Sequence, residues 1–426
     1  MARARGTTAM AAPAVHRPRA PLRVLGTSVT QTGALQRAAE EDLGIKLQFI
    51  TRDGTEAQRQ GALNPGSFDV YDQWFHDIDL IWPTGSIRSI DIARIDRWDE
   101  INALPKTGRL RPDLPRPAGG DPSKRLFVQL DGTLGDTPSE RISMLPTVHN
   151  ADSFAVVGVE AESVTSWAAL LDPQWQGRVV LQADAAIGAL DMALGLMAQG
   201  DLSASHLGDL TLEDIDALTT LLQKRVEEGF FDCIWFDEAE AVSAFQKEGP
   251  RIGSMWWSGF CRLRSEGTAA AMVTPKEGYR GWFGGLALSS VMEAHATDTA
   301  YAYLNWWLDG RPGAMMARSG AYMANPEAVR PHLSEDEWDF WYDGKPARGA
   351  IQDAEGRVVF QAGERREGGD YLSRMSRVRV WDAVMNEHNY LVRKWENAIA
   401  PMKRRLRAYA AAGSAAGPDA ERRRLL

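Results

Sequence analysis

Residues 163–199, SVTSWAALLDPQWQGRVVLQADAAIGALDMALGLMAQ, constrain the fold more than any other stretch. Thr165 or Ser166 can cap a short helix carrying Trp167, Leu170 and Leu171. Asp172-Pro173 stops that helix, because proline lacks the N–H and disfavours helical geometry in the residue before it. Gly177 releases the chain into 178–181, a β-branched run that reads as a buried strand. After the polar turn Gln182-Ala183-Asp184 comes a long apolar helix with Ile187, Leu190, Leu194 and Met197 at helical spacing. The strand therefore runs into a helix N-terminus with a carboxylate at the junction, and open α/β sheets bind ligands beyond such strand ends.

The same alternation recurs along the chain. Residues 21–25 read as a strand, 26–33 as a loop of small hydroxylic residues, 34–43 as an amphipathic helix and 45–50 as a second strand. This βαβ unit implies a parallel sheet. A helix at 55–63 and a strand at 68–74 follow, the strand leaving Trp74, Phe75 and His76 at its end. Short helices and loops are expected over 87–105, and a strand over 126–130. A lobe crossing is placed near 150–153, before the opening stretch. Further on, 212–230 and 238–247 read as helices, 231–236 and 252–257 as strands, and 281–288 as the return crossing. Helices at 296–308 and 312–318 and a turn at 319–323 precede a mostly helical remainder to Arg407. The pattern predicts two α/β lobes with a cleft between them: 20–150 with 283–326, and 151–282 with 327–402.

With 426 residues the chain is long enough for two or three domains. Its net charge of −9 argues against a nucleic-acid partner and suits a cationic ligand. Cys233 and Cys261 are either one disulfide or two buried thiols. Residues 1–19 are basic and Ala/Pro-rich, ending in a small-residue motif like that of an export signal, without the apolar region such a signal needs. They are read as a clipped signal or a disordered arm, and 403–426 as a basic flexible tail.

Enzyme motifs are missing: no G-x-S-x-G, Walker loop, G-x-G-x-x-G or H-E-x-x-H occurs. No histidines pair at metal-ligand spacing, so neither metal nor cofactor is expected. His76 and His149 are placed near the cleft, with a hydrogen-bonded rim role favoured over catalysis. Asp184 can cap the following helix, meet a cationic group, or do both. Trp256, Trp257 and Trp282 sit at strand ends, where an indole face attracts a desolvated cation by about 2 kcal/mol or more. Regular alternation would let only one of Trp256 and Trp257 face the cleft.

The run Ser163-Val164-Thr165-Ser166-Trp167-x-x-Leu170, then Pro173-x-x-x-Gly177, strand and Asp184, resembles the polyamine-type solute-binding proteins of bacterial ABC importers. The resemblance spans about 22–398, with Gly253-Ser254-Met255-Trp256, Trp282-Phe283-Gly284-Gly285-Leu286-Ala287 and Ser319-Gly320-Ala321-Tyr322-Met323-Ala324-Asn325. It implies a two-lobed type II periplasmic-binding-protein fold that closes on a ligand. It also implies an exported, monomeric, non-enzymatic protein working with permease subunits. Carried over by position, the ligand-binding residues are Thr27, Ser28, Thr30, Trp74, His76, Asp184, Trp256 and Trp282. The chain departs from that pattern: acids expected one turn after Asp184 and two residues after Trp282 fall on Ile187 and Gly284. An unpaired buried ammonium is costly. The expected ligand therefore carries one cationic group, such as a monoamine, a quaternary ammonium compound or an amino-acid derivative, with the hydroxyls of Thr27, Ser28 and Thr30 holding a polar end. Alternatives are an anion or opine binder, and a ligand-sensing partner of a receptor.

Overall fold

A computed structural model describes residues 20–415, with side chains described through 406. The segment read as a signal remnant and the end of the basic tail lie outside the described residues. Residues 403–415 continue the last helix, His388–Ala415, where a flexible tail was expected.

Two long strands organise the molecule. Leu145–Val157 and Tyr279–Ser289 run antiparallel at the centre of a sheet, with Asn150 opposite Trp282 and Asp152 opposite Arg280. On one side, Tyr279–Ser289 pairs antiparallel with Val70–Trp74, which continues in parallel to Leu22–Gly26 and Leu47–Thr51. On the other, Leu145–Val157 pairs antiparallel with Arg251–Met255, which continues in parallel to Val179–Gln182 and Phe231–Trp235. The two long strands therefore belong to both halves, and the cleft of the two-lobed α/β fold lies across them.

Residues 163–199 build much of the second half. Ser166 caps a short 3₁₀ helix, Trp167–Leu171, and Asp172 closes it and caps the next turn, Pro173–Trp175. Trp167 is fully buried, and its indole N–H donates to the Gly278 carbonyl at 2.8 Å. The segment is thereby tied to the residue just before the second long strand. Truncating such a side chain costs about 3–5 kcal/mol. Helix Ala185–Gln199 is apolar apart from Asp191 and its last residue Gln199, as a largely covered helix must be, and Gly200 ends it with φ 85°. At Gly188 a Cβ would lie 2.2 Å from the Gln182 carbonyl oxygen and 2.7 Å from the Trp395 ring. Glycine there lets the helix sit directly on its own strand.

Tertiary pairing overrides the local reading in several places. Ile87–Arg88 and Ile90–Asp91 are short strands, because Ile87 and Arg88 pair with Ser289 and Leu288, and Ile90 and Asp91 with Ile142 and Arg141. Tyr322–Met323 is a strand against His149 and Val148 rather than a turn. The remainder after residue 326 contains three further strands, Ile351–Gln352, Val358–Phe360 and Val378–Trp381. The strand expected over 252–257 stops at Met255, its last partner being Ser153. Trp256 then takes the N-cap position of helix Trp257–Ser265. Both cysteines are free, buried thiols.

Candidate functional site

A cavity lies where the halves meet the long strands, its volume of about 410 Å³ counted together with space open to solvent. Val29, Trp74, Met316, Ser319 and Ala321 line it from the first half. Ile187, Trp256, Trp257 and Ser258 line it from the second, and Asn150, Trp282 and Asp382 from the crossover region. Trp74 and Trp282 meet edge to face, with ring centroids 5.0 Å apart at 67°. Trp256 packs against Trp235 at 4.8 Å. These rings are fixed by packing before any ligand arrives.

Of the eight residues carried over from the resemblance, the structure brings Trp74, Trp256 and Trp282 together at this cavity and leaves five off its wall. Thr27 and Thr30 are buried in the turn after the first strand, where Thr30 hydrogen-bonds the Asp72 carboxylate. Ser28 is half-buried in that turn, and Val29 is the residue presented to the cavity. His76 is buried under Gly120, with Nε2 3.3 Å from Asp77 Oδ1. Burial, with the positive charge of His388, Arg125 and Arg280, pushes its pKa down to about 3, so it is neutral. His149 is likewise enclosed, stacked on Phe283 at 4.7 Å and bonded to Tyr371 Oη at 2.9 Å.

Asp184 is occupied in two directions. Oδ1 accepts from the Ala186 N–H at 2.8 Å, the cap role, and Oδ2 accepts from Thr55 Oγ1 of the other half at 3.2 Å. Burial raises its pKa. Trp257, which alternation set against Trp256, is mostly core: it packs on Phe260 and Trp341 and lies 4.4 Å from the Arg366 guanidinium. Both indoles touch the cavity because the strand has ended and alternation no longer applies. At Gly284 a Cβ would lie 3.2 Å from Val148 Cγ2 and 3.5 Å from Trp74 Cζ3. A carboxylate there would enter space that Trp74 fills.

The sequence reasoning missed Asp382. It follows strand Val378–Trp381, which pairs in parallel with the second long strand, Gly281 opposite Trp381. Its N–H donates to the Gly281 carbonyl at 2.8 Å. Both its carboxylate oxygens accept from Arg280 Nη1, at 2.9 and 3.0 Å. Arg280 Nε donates to Asp191 Oδ1 at 2.8 Å, and Asp191 Oδ2 accepts from Ser254 Oγ at 2.6 Å. Asp152, opposite Arg280, accepts from the Trp282 indole N–H at 2.7 Å. The acids of this cluster are scattered over 230 residues of sequence, and no local motif signals them. An arginine directly before the predicted return crossing was the available hint, since a buried guanidinium demands carboxylates.

This architecture is a two-lobed type II periplasmic-binding-protein fold: two α/β halves, long shared strands and a walled cleft at the crossing. No protein-family model matches the chain. It is 23% identical over 315 residues, 73% of its length and 78% of the relative's, to the spermidine/putrescine-binding periplasmic protein of Escherichia coli K12. In structure it resembles the spermidine/putrescine ABC transporter substrate-binding protein PotD of Streptococcus pneumoniae, with TM-score 0.57, 15% identity, and 90% of this chain and 98% of that one covered. It also resembles MotA of Agrobacterium tumefaciens B6, solved with glucopine, with TM-score 0.56, 13% identity, and coverages of 89% and 99%. The chain is thus similar in sequence to a spermidine/putrescine-binding periplasmic protein and in fold to a substrate-binding protein of that kind. No described helix is long and apolar enough to cross a membrane.

Proposed function

We propose that this protein is an extracytoplasmic binding protein that hands a small solute bearing one amine or quaternary ammonium group to an ABC importer. It does so by cleft binding and closure, without chemistry. The observation that carries this reading is the cavity wall of Trp74, Trp256 and Trp282 beside Asp382. Indole faces attract a desolvated cation, and a carboxylate beside them supplies the opposite charge. The likeness to a periplasmic relative supports export, and the likeness to an ABC transporter substrate-binding protein supports partnership with permease subunits. Closure requires only that the ligand bind the closed form better than the open one.

A thermal-shift panel of monoamines, diamines, choline, betaines, amino acids and opines tests the reading. A ligand at 100 times its Kd adds about 2.7 kcal/mol of stability. Stabilisation by a singly cationic compound supports the proposal. Stabilisation by opines or anions alone would favour the second reading, an opine or amino-acid-derivative binder, which the likeness to glucopine-bound MotA supports. No stabilisation by any member of the panel would sink both.

A further inference from the structure

The crossover region holds more buried negative charge than its own cation can balance. Around Arg280 stand Asp152, Asp191 and Asp382, all essentially inaccessible to solvent. Arg280 Nε is committed to Asp191 and Nη1 to Asp382, while Nη2 has no partner. Asp152 gives one oxygen to the Trp282 indole N–H, and its Oδ1 is buried without a partner. A further cation, Arg374, is held by Glu367 and by the Ala151 carbonyl at 2.6 Å, so that pair adds no net charge, while buried Arg366 beside it donates to the Gly320 carbonyl and to Asn150 Oδ1. From the first half Asp77, whose pKa burial and the neighbouring acids Asp184, Asp382 and Asp79 raise, and neutral His76 also face this region. One guanidinium thus faces three carboxylates, in a setting where an uncompensated charge is strongly disfavoured. Asp382 forms cavity wall beside Trp282, so the deficit opens toward the ligand space.

We infer that Asp382, backed by Asp152 and Asp191 around Arg280, is the anionic face that receives the ligand's cationic head, in place of the acids absent at Ile187 and Gly284. This rests on the solute-binding reading above and assigns its specificity determinant. Recognition is then indirect as well as direct: the ligand meets one carboxylate and offsets part of the excess negative charge of four buried groups. Trp282 joins the two parts, since its ring walls the cavity while its N–H is fixed by Asp152.

A consequence is proton linkage. Burial pushes the Asp382 carboxyl up to about 7 and the Asp152 carboxyl up to about 6, against the opposing pull of Arg280. Below those values the empty site neutralises itself by holding protons. A ligand cation must displace them, so its affinity falls as the pH drops, by about tenfold per pH unit where one proton is released.

The test is calorimetric titration of choline, putrescine and 3,3-dimethylbutanol, the neutral isostere of choline, into wild type, Asp382→Asn and Asp152→Asn between pH 5.5 and 8. Circular dichroism first verifies that each variant is folded. The expected result is that wild type binds choline more tightly than putrescine and does not bind the isostere. Proton release should be visible as a heat that depends on the buffer. Asp382→Asn should lose at least tenfold in affinity and most of the pH dependence, and Asp152→Asn should flatten the pH profile with a smaller loss. Cation binding unchanged in affinity and pH profile by Asp382→Asn would overturn the inference and leave the binding-protein reading intact. A wild type that ignores both cations while opines stabilise it would overturn the inference together with the amine reading. Carbon-13 NMR of the aspartate carboxyls checks the ligand-free protein separately: an Asp382 signal that stays ionised down to pH 4 would also overturn it.

Discussion

Thr55 Oγ1 and Asp184 Oδ2 lie 3.2 Å apart, a hydrogen bond that joins the first turn of helix Gly54–Leu63 in one half to the α/β junction of the other. Asp184 is thus a helix cap and a contact between the halves at once.

The two roles separate by mutation. Thr55→Val removes the contact and leaves the cap. It should weaken the closed form by about 0.5–1.5 kcal/mol, lowering ligand affinity by up to about tenfold with little change in the Tm of ligand-free protein. Asp184→Ala removes the cap as well, and should lower that Tm by the equivalent of about 1 kcal/mol. Calorimetry on the two variants checks both values. Equal Tm losses would show that the cap contributes nothing.

Arg280 is the one cation of the crossover cluster, so its loss is expected to be severe. Arg280→Met leaves Asp152, Asp191 and Asp382 without their guanidinium. Removing one partner of a buried ion pair costs about 3–5 kcal/mol. Urea denaturation at pH 7.5 should show it, with partial recovery at pH 5 as the orphaned acids take up protons.

Asp72 gives a pH test independent of any ligand. It is buried, one oxygen takes a hydrogen bond from Thr30, and Oδ2 has no partner. Burial raises its pKa from 3.8 to about 7. The folded state therefore favours the protonated acid. The contribution is fully present below about pH 4 and is lost as the pH rises through about 7. Asp72→Asn removes this loss. The stability of the variant relative to wild type should climb by about 1.4 kcal/mol per pH unit between pH 4.5 and 6.5, measured by denaturant titration. The opposite slopes of buried His76 and His149 occur in both proteins and cancel in the difference. A difference that stays flat with pH would show that Asp72 is ionised in the fold.

The cavity tryptophans are distinguishable by what holds them. Trp256→Ala should reduce choline affinity by roughly 30-fold, the equivalent of about 2 kcal/mol, and Trp256→Phe should retain most of it. Trp282→Phe keeps a ring but strands Asp152, so it should lose affinity and also lower the Tm, by the equivalent of about 1–3 kcal/mol. Isothermal titration and scanning calorimetry on the same samples separate the two effects.

The local architecture around residues 163–199 was legible because each signal there is local. Ser166 caps, Pro173 interrupts, Gly177 turns, and the apolar run after Asp184 has helical spacing. The two crossings were legible for the same reason: 150–153 falls inside Leu145–Val157, and 281–288 inside Tyr279–Ser289. The short strands at Ile87–Arg88 and Tyr322–Met323 were not, because two residues carry no period and pairing alone makes them strands.

At the cavity the same division holds. Strand-end position suggested Trp256, Trp257 and Trp282 from the residues, although Trp282 lies inside Tyr279–Ser289, and the resemblance suggested Trp74; all four touch the cavity. Whether a hydroxyl in the turn 27–30 faces outward depends on how the turn folds back, and it turns Val29 to the cavity instead. Asp382 could be found only in three dimensions. It is brought to Arg280 by a strand from the far end of the chain, and the charge that makes it matter comes from Asp152 and Asp191 on two other elements. Helices, strands and their order follow from short-range spacing, which sequence records. The balance of buried charge is a sum over neighbours in space, which only the folded chain brings together.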